Sequence, residues 1–209
     1  LHTLFPYTTL FRSIILIMLD FITNYTILWY NYLYNNLGVD IMKHTNVNDL
    51  IKASLFLALA IVFQVIGKNF PGISQFFVGP AVNAILILTA IICGSTYGVL
   101  VGTLTPLLAY VTGQLASPLG PFIPFIITSN ILFVLCFIIL NKRGKYGKYL
   151  GIVIGAFIKY MFLSISASKL IPLFELNIPT KIVNKLVITM GIPQLITALI
   201  GGCFALILI

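Results

Sequence analysis

The sequence predicts an all-α integral membrane protein, a bundle of about six transmembrane helices with cytoplasmic N- and C-termini. The chain is 60% hydrophobic and only 8% charged, whereas a soluble domain is about 25% charged. No aspartate or glutamate occurs from Leu50 to Phe174, as expected where a charge at the bilayer centre costs about 2.5–3.5 kcal/mol. About six stretches approach the roughly 20 apolar residues that a membrane-spanning helix needs.

The first predicted helices are separated by short turns. Span one runs from about Asp49 to Ile66, and Asp49 can cap its start. The turn Lys68–Gly72 contains asparagine, proline and glycine, which favour turns. Span two follows at about Phe76–Cys93, and a tight Gly94–Ser95 connection leads to span three at about Thr96–Val111.

Longer connections separate the remaining spans. In order, the chain shows a Gly/Pro/Ser-containing loop at Gln114–Pro121, span four at about Phe122–Leu140, a basic loop at Asn141–Lys148, span five at about Tyr149–Ser168, a mixed loop at Lys169–Asn184, and span six from about Leu186 to the C-terminus. Four basic residues lie in Asn141–Lys148, and cytoplasmic loops of membrane proteins are enriched in lysine and arginine. We therefore expect this loop and both termini to be cytoplasmic, as in a multi-pass protein of the bacterial plasma membrane.

The start of the chain is expected not to belong to the native protein. Leu1–Ser13 resembles translated sequencing-adapter DNA, and Ile14–Ile41 is rich in Asn, Tyr and Ile, as translated AT-rich upstream DNA would be. We exclude residues 1–41 from fold reasoning and expect residues 42–209 to form a single six-helix membrane domain. The alternative is a genuine extra helix over Ile14–Tyr34.

Composition argues against several function classes. The formal charge of +8 is attributed to membrane topology and not to nucleic-acid binding. His2 and His44 lie outside the apolar spans, and the three cysteines lack CxxC spacing, so we expect no metal site. A GxxxxGK[ST] motif for ATP is absent. We therefore expect no enzyme activity, no catalytic residues and no cofactor in this chain.

Lys159 is the sharpest single signal, because it lies near the middle of span five. It is too far from either interface to extend its ammonium easily into the headgroup region, and intramembrane ionisable residues are candidate functional residues. No carboxylate within the spans can pair with it. Three interpretations remain open: the ligand supplies the counter-charge, the ammonium lies in a wet cavity, or it caps carbonyls of a neighbouring helix.

Other strongly polar groups accompany Lys159. Asn83, Asn130 and Gln194 lie in spans two, four and six, and Gln114 lies in the loop after span three. Each amide can both donate and accept hydrogen bonds, and simple interhelical bonding is the alternative for each. Pro106 and Pro193 add irregular backbone, which is tolerated in a membrane where it lines a cavity. The sequence therefore predicts a substrate-binding site made of Asn83, Gln114, Asn130, Lys159 and Gln194. The aromatic residues Tyr110, Phe122, Phe125 and Tyr160 are expected either to wall this cavity or to belong to the core and interface.

Small residues indicate where helices touch. Gly94, Gly98 and Gly102 form a small-xxx-small stripe, which lets helices approach closely, and we assign it to internal packing. Ser54 and Ala58 have the same spacing in span one. This pair could equally receive a helix of another protein.

Five segments together resemble a known family. They are FVGPAVNAILIL, GVLVGTLTPLLAYVTGQ, PFIPFIITSN, GAFIKY and GIPQLITALIGG, within Asp49–Ile209. This order resembles the substrate-binding S components of energy-coupling factor (ECF) transporters. The resemblance implies binding of a vitamin-like micronutrient and docking on a transmembrane coupling protein with two ATPases. It also implies that Ser54 and Ala58 replace an AxxxA-type docking motif, with serine at the first alanine, and that Lys68–Gly72, Gln114–Pro121 and part of Lys169–Asn184 form lids.

The leading hypothesis is therefore high-affinity uptake of a small water-soluble nutrient, with ATP hydrolysis on partner subunits. The alternative is a stand-alone secondary transporter, which would take up solute without partners. A membrane-embedded enzyme and a scaffold without ligand are further alternatives. The sequence does not identify the nutrient.

Overall fold

The computed structural model describes residues 47–70, 74–144, 146–171 and 180–209. Residues 1–41 lie outside this part, as do portions of the loops Lys68–Gly72 and Lys169–Asn184. The helices of the described part are α1 (Val47–Asn69), α2 (Ser74–Ile92), α3 (Ser95–Val111), α4 (Ile123–Asn141), α5 (Gly147–Ile165), α6 (Thr180–Thr189) and α7 (Ile192–Ile207). A 3₁₀ helix at Ser117–Phe122 leads into α4, and a π-helical turn at Ser166–Leu170 follows α5.

Helix α2 occupies the centre of the bundle. It contacts α1, α3, α4 and α7, and every residue from Asn83 to Ala90 is buried. A helix that is apolar on all sides can be surrounded by other helices without burying unpaired polar groups, and the LILTA run of α2 fits this position. Helix α1 lies at the periphery, with contacts mainly to α2 and α3, and it leaves one face exposed.

Five segments are long and apolar enough to cross a membrane: Val47–Asn69, Ser74–Ile92, Ser117–Asn141, Gly147–Lys169 and Lys181–Ile207. The third predicted span, Ser95–Val111, is apolar but only 17 residues long. The described residues contain helices and no strands, so the all-α membrane architecture is confirmed. Six spans and the cytoplasmic position of the termini stay predictions.

The ends of the predicted spans needed correction at two places. In the described part of the chain α1 starts at Val47, so Asp49 lies in the first turn and pairs with Lys52 (N–O 3.6 Å) instead of capping the helix. The last span is two helices, because α6 ends at Thr189 and α7 starts at Ile192. Gly191 has non-helical backbone angles there (φ −82°, ψ −135°), and the proline at the start of α7 has no backbone N–H to continue the preceding helix.

Glycines set the closest helix contacts, as the stripe on span three predicted. A Cβ built on Gly98 would lie 2.8 Å from the Cβ of Ala90, and one on Gly155 would lie 3.1 Å from the ring of Phe133. Gly94 has φ +100° at the turn between α2 and α3, a conformation that favours glycine. Internal packing thus accounts for Gly98 and Gly155, whereas a Cβ on Gly94 would meet nothing within 4 Å and only its positive φ favours glycine.

Candidate functional site

A cavity of about 580 Å³ lies at one end of the bundle, within the roughly 300–1,000 Å³ typical of small-molecule sites. Its lining comes from the carboxyl ends of α1 and α3, the amino ends of α2 and α7, helix α6, the loop after α3, and the interior of α4 and α5. The basic turn between α4 and α5 joins the opposite ends of those helices. The cavity and the basic loop are therefore on opposite sides of the protein.

All five residues of the predicted substrate site line this one cavity: Asn83, Gln114, Asn130, Lys159 and Gln194. They come from α2, the loop after α3, α4, α5 and α7, so five separate parts of the chain converge. Asn83, Asn130 and Lys159 are buried, whereas Gln114 and Gln194 are half-buried. Gln194 donates from Nε2 to the sulfur of Met190 at 3.6 Å.

Lys159 is the centre of the polar cluster. Its Nζ donates to Oδ1 of Asn83 at 2.6 Å and to Oδ1 of Asn130 at 2.7 Å, and only 4% of the residue is exposed. The ring of Phe133 lies 5.5 Å from Nζ, within range of a cation–π interaction. Lys159 therefore neither faces lipid nor caps a helix end. It is held by two uncharged amides beside the cavity.

Pro106 explains how the Asn130 amide is oriented. A proline inside a helix lacks the N–H that would bond to the carbonyl four residues earlier, which here belongs to Gly102. Asn130 donates from Nδ2 to that carbonyl at 3.0 Å. Because Nδ2 is engaged there, Oδ1 is directed toward the ammonium of Lys159.

Gly201 of α7 positions the other amide. A Cβ at this position would lie 2.7 Å from the Cβ of Asn83 and 2.9 Å from the backbone nitrogen of Ala84, and it would also meet the carbonyl of Pro80. The glycine thus lets α7 contact the backbone of α2 directly at the level of Asn83. This close packing fixes the segment that presents Asn83 to Lys159.

Side chains at the rim connect the helix ends around the cavity. Lys68, at the end of α1, donates from Nζ to the carbonyl of Thr112 at 3.1 Å. Gln75, at the start of α2, donates from Nε2 to the carbonyl of Thr189 at 2.6 Å. The first bond connects the end of α1 to the end of α3, and the second connects the start of α2 to the end of α6. The Lys68 side chain is exposed.

Sequence reasoning missed two amides of the site, Gln64 and Gln75, which also line the cavity. Gln64 is 3% exposed, and it donates from Nε2 to the carbonyl of Thr105 at 3.1 Å. The spacing in the sequence could have indicated that Gln64 is buried, since it lies four residues after Ala60 and three before Gly67, on the same buried face of α1.

The aromatic residues named from the sequence do not line the cavity. Phe122 and Phe125 are buried and stack on each other at 5.3 Å. Tyr110 is exposed, and Tyr160 packs against Phe157 with 6.1 Å between ring centroids. The core and interface interpretation therefore describes them, and the cavity is lined mainly by aliphatic, amide, hydroxyl and lysine side chains.

Ser54 and Ala58 lie on the exposed face of α1, away from the cavity. Ser54 bonds to its own helix, from Oγ to the carbonyl of Leu50 at 2.8 Å. Exposed apolar side chains surround the pair, including Leu55 and Leu59. Within the described part of the chain, no cluster of three His, Cys, Asp or Glu residues could hold a metal ion.

A protein-family model described as the substrate-specific component of an ECF transporter matches residues 48–209, which is most of the chain. Searches of curated proteins and of solved structures returned no match.

Proposed function

Because the chain belongs to the substrate-specific components of ECF transporters, we propose that it binds a small water-soluble, vitamin-like nutrient in the cavity beside Lys159. In this proposal the nutrient enters the cell through the bacterial plasma membrane without chemical change. ATP hydrolysis on partner subunits supplies the energy, and this chain contributes only recognition of the cargo.

The convergence at the cavity is the observation that carries the proposal. Residues from five separate parts of the chain line one space of about 580 Å³. At its centre Lys159 is held by Asn83 and Asn130 at 2.6 and 2.7 Å. Polar groups inside a membrane protein are unfavourable unless they bond to one another or to a ligand. The residues of this cluster bond to one another and also line a cavity in which a ligand could bond to them.

Each polar residue has a distinct proposed role. Lys159, Asn83 and Asn130 form the base of the site and bind the polar group of the nutrient. Gln194, at the start of α7, bonds to it from the side, and Gln114 acts from the loop that would close over it. The preorganised amides do not need to reorient when the nutrient arrives, which reduces the entropic cost of binding.

We propose that the exposed face of α1 around Ser54 and Ala58 docks on the transmembrane coupling protein. Both side chains are small and exposed, so a partner helix can approach the backbone of α1 closely. Helix α1 also supplies Gln64 and Lys68 to the cavity. Cargo binding and docking would therefore act on opposite faces of one helix.

The orientation is tested by cysteine labelling. In a chain whose Cys93, Cys136 and Cys203 are replaced by alanine, Ser117→Cys should react with a membrane-impermeant maleimide on intact cells. Arg143→Cys should react only after lysis, because the proposed orientation places the basic loop in the cytoplasm. The reverse pattern would contradict the orientation.

The function itself is tested by identifying the cargo and its energy source. Native mass spectrometry of the purified chain should detect a bound small molecule, and cells should take up that molecule only when the coupling protein and active ATPases are also present. Uptake by this chain alone, driven by an ion gradient, would favour the stand-alone secondary transporter instead. Lys159→Met should weaken binding strongly with expression intact, whereas Lys142→Met, outside the cavity, should not.

A further inference from the structure

The charges that line the cavity are all positive in the part of the chain that the structure describes. Lys68, Lys159 and Lys185 line it, and no aspartate or glutamate does. The one described carboxylate, Asp49, lies at the start of α1 and pairs with Lys52 at 3.6 Å. Glu175 lies outside the described residues.

The ammonium of Lys159 has hydrogen-bond acceptors but no counter-charge among the described residues. Its two partners are neutral amide oxygens, and a lysine ammonium has three N–H donors. A buried charge without an opposite charge is unfavourable. An anion in the cavity would supply that charge and could accept the remaining N–H.

The other two lysines lie where an anion would enter. Lys185 on α6 and Lys68 on α1 are both exposed at the rim. Positive groups around an opening raise the local concentration of anions and their rate of association. The cavity therefore attracts negative charge at its rim and holds an unpaired positive charge at its base.

Gln64 provides an independent observation that points to a ligand. Its Nε2 is engaged with the carbonyl of Thr105 at 3.1 Å, which fixes Oε1 as the free end of the amide. Oε1 is buried and has no hydrogen-bond partner among the described residues. An unpaired buried acceptor costs about 1–3 kcal/mol, and a donor on the cargo would remove this cost.

We propose that the cargo is a small organic anion whose carboxylate or phosphate monoester binds Lys159 and whose N–H or O–H group donates to Oε1 of Gln64. This inference rests on the proposed function and narrows it to one class of cargo. It adds Gln64 to the binding site as a residue that selects for a hydrogen-bond donor.

The first test separates the charge of the cargo from the existence of a cargo. Small molecules dialysed from yeast extract are divided by ion exchange into anionic, neutral and cationic fractions. Each fraction is added to the full chain in nanodiscs, and thermal unfolding is measured. The anionic fraction should raise the unfolding temperature. Stabilisation by the neutral or cationic fraction alone overturns the anion inference and leaves the proposed function intact, whereas no stabilisation by any fraction counts against both.

Chemical treatment of the anionic fraction identifies the acidic group. Coupling of carboxylates to methylamine with a carbodiimide should abolish the stabilisation if the group is a carboxylate. Phosphatase treatment should abolish it if the group is a phosphate monoester. Stabilisation that persists after both treatments overturns the inference, because neither acidic group is then required.

Matched lysine variants test the two positions of positive charge. Lys159→Met should lower the apparent affinity for the active fraction about 10- to 100-fold, as expected for loss of a charge-assisted hydrogen bond. Lys185→Met should lower it about two- to fivefold, and Lys181→Met, on the same helix but outside the cavity, should not. Because Lys185 is exposed, its variant keeps the test valid even if Lys159→Met folds poorly. Equal effects of Lys185→Met and Lys181→Met would contradict the steering role of the rim.

Gln64 is tested against a second amide on α1. Gln64→Leu should lower the affinity about two- to tenfold, the loss expected for one hydrogen bond. Gln64→Glu should lower it further, because a carboxylate would repel an anionic cargo. Asn69→Leu, outside the cavity, should have no effect. Tighter binding by Gln64→Glu would show a cationic cargo and overturn the inference.

Discussion

Replacing Asn130 with leucine should destabilise the fold, and replacing Pro106 with alanine in the same chain should recover part of that loss. Asn130→Leu removes the bond to the Gly102 carbonyl at 3.0 Å and the bond from Lys159 at 2.7 Å. Pro106→Ala introduces a backbone N–H at the position that can bond to the same carbonyl. The second substitution therefore replaces the donor that the first one removes.

The two hydrogen bonds set the expected magnitude. A neutral bond contributes about 1 kcal/mol and a bond to a charged group about 1.5–3 kcal/mol, so Asn130→Leu should cost about 2–4 kcal/mol. An unpaired buried carbonyl accounts for about 1–3 kcal/mol of such a loss. The double variant should consequently be more stable by about 1–3 kcal/mol than the sum of the two single effects predicts.

The assay is a double-mutant cycle on the free energy of unfolding, measured for the full chain in mixed detergent–SDS micelles. Pro80→Ala is the matched control, because Pro80 also lies inside a helix but its replacement would supply an N–H to the carbonyl of Phe76, which is not the carbonyl that Asn130 binds. It should show no coupling to Asn130→Leu. Additive effects of Pro106 and Asn130, or equal coupling with Pro80, would refute the proposed link between proline, carbonyl and amide.

Two further substitutions test the positioning of the site and the docking face. Gly201→Ala should weaken binding of the active anionic fraction, because its methyl group would lie 2.7 Å from the Cβ of Asn83. Gly202→Ala introduces a methyl group that meets the side chain of Ile152, so it should lower stability but leave binding unchanged. Equal losses of binding in the two variants would contradict this account. Ala58→Trp should abolish co-purification with the coupling protein, while cargo binding persists. Val153→Trp, on the exposed face of α5, should affect neither co-purification nor cargo binding. If Ala58→Trp still co-purifies with the coupling protein, α1 is not the docking helix.

The positions of the helices could be predicted because a bilayer permits few solutions. Apolar runs of sufficient length must be helices in lipid, and a lysine in such a run must find polar partners. This reasoning identified Lys159, Asn83 and Asn130 as members of one site, although α2, α4 and α5 supply them separately.

The remaining details depend on helix rotation and local backbone geometry, which periodicity alone does not determine. Gln64 joins the site because α1 turns its Ala60 and Gly67 face inward, bringing the amide to the Thr105 carbonyl. The break after Thr189 arises from a non-helical Gly191 followed by a helix with proline in its first turn, and the apolar composition of the predicted span gave no sign of it. Aromatic residues could not be assigned because they suit a cavity, a core and a membrane interface equally well.

The short length of α3 has a consequence for the surrounding lipid. Its 17 residues extend about 26 Å at 1.5 Å per residue, compared with a hydrocarbon thickness of about 30 Å. Leu100 and Leu107 are exposed on this helix, so in the predicted six-span topology the bilayer would thin locally around it. The protein should therefore be more stable in phosphatidylcholine with short acyl chains than with long ones, and membrane thickness becomes a physical variable that acts on the wall of the cavity.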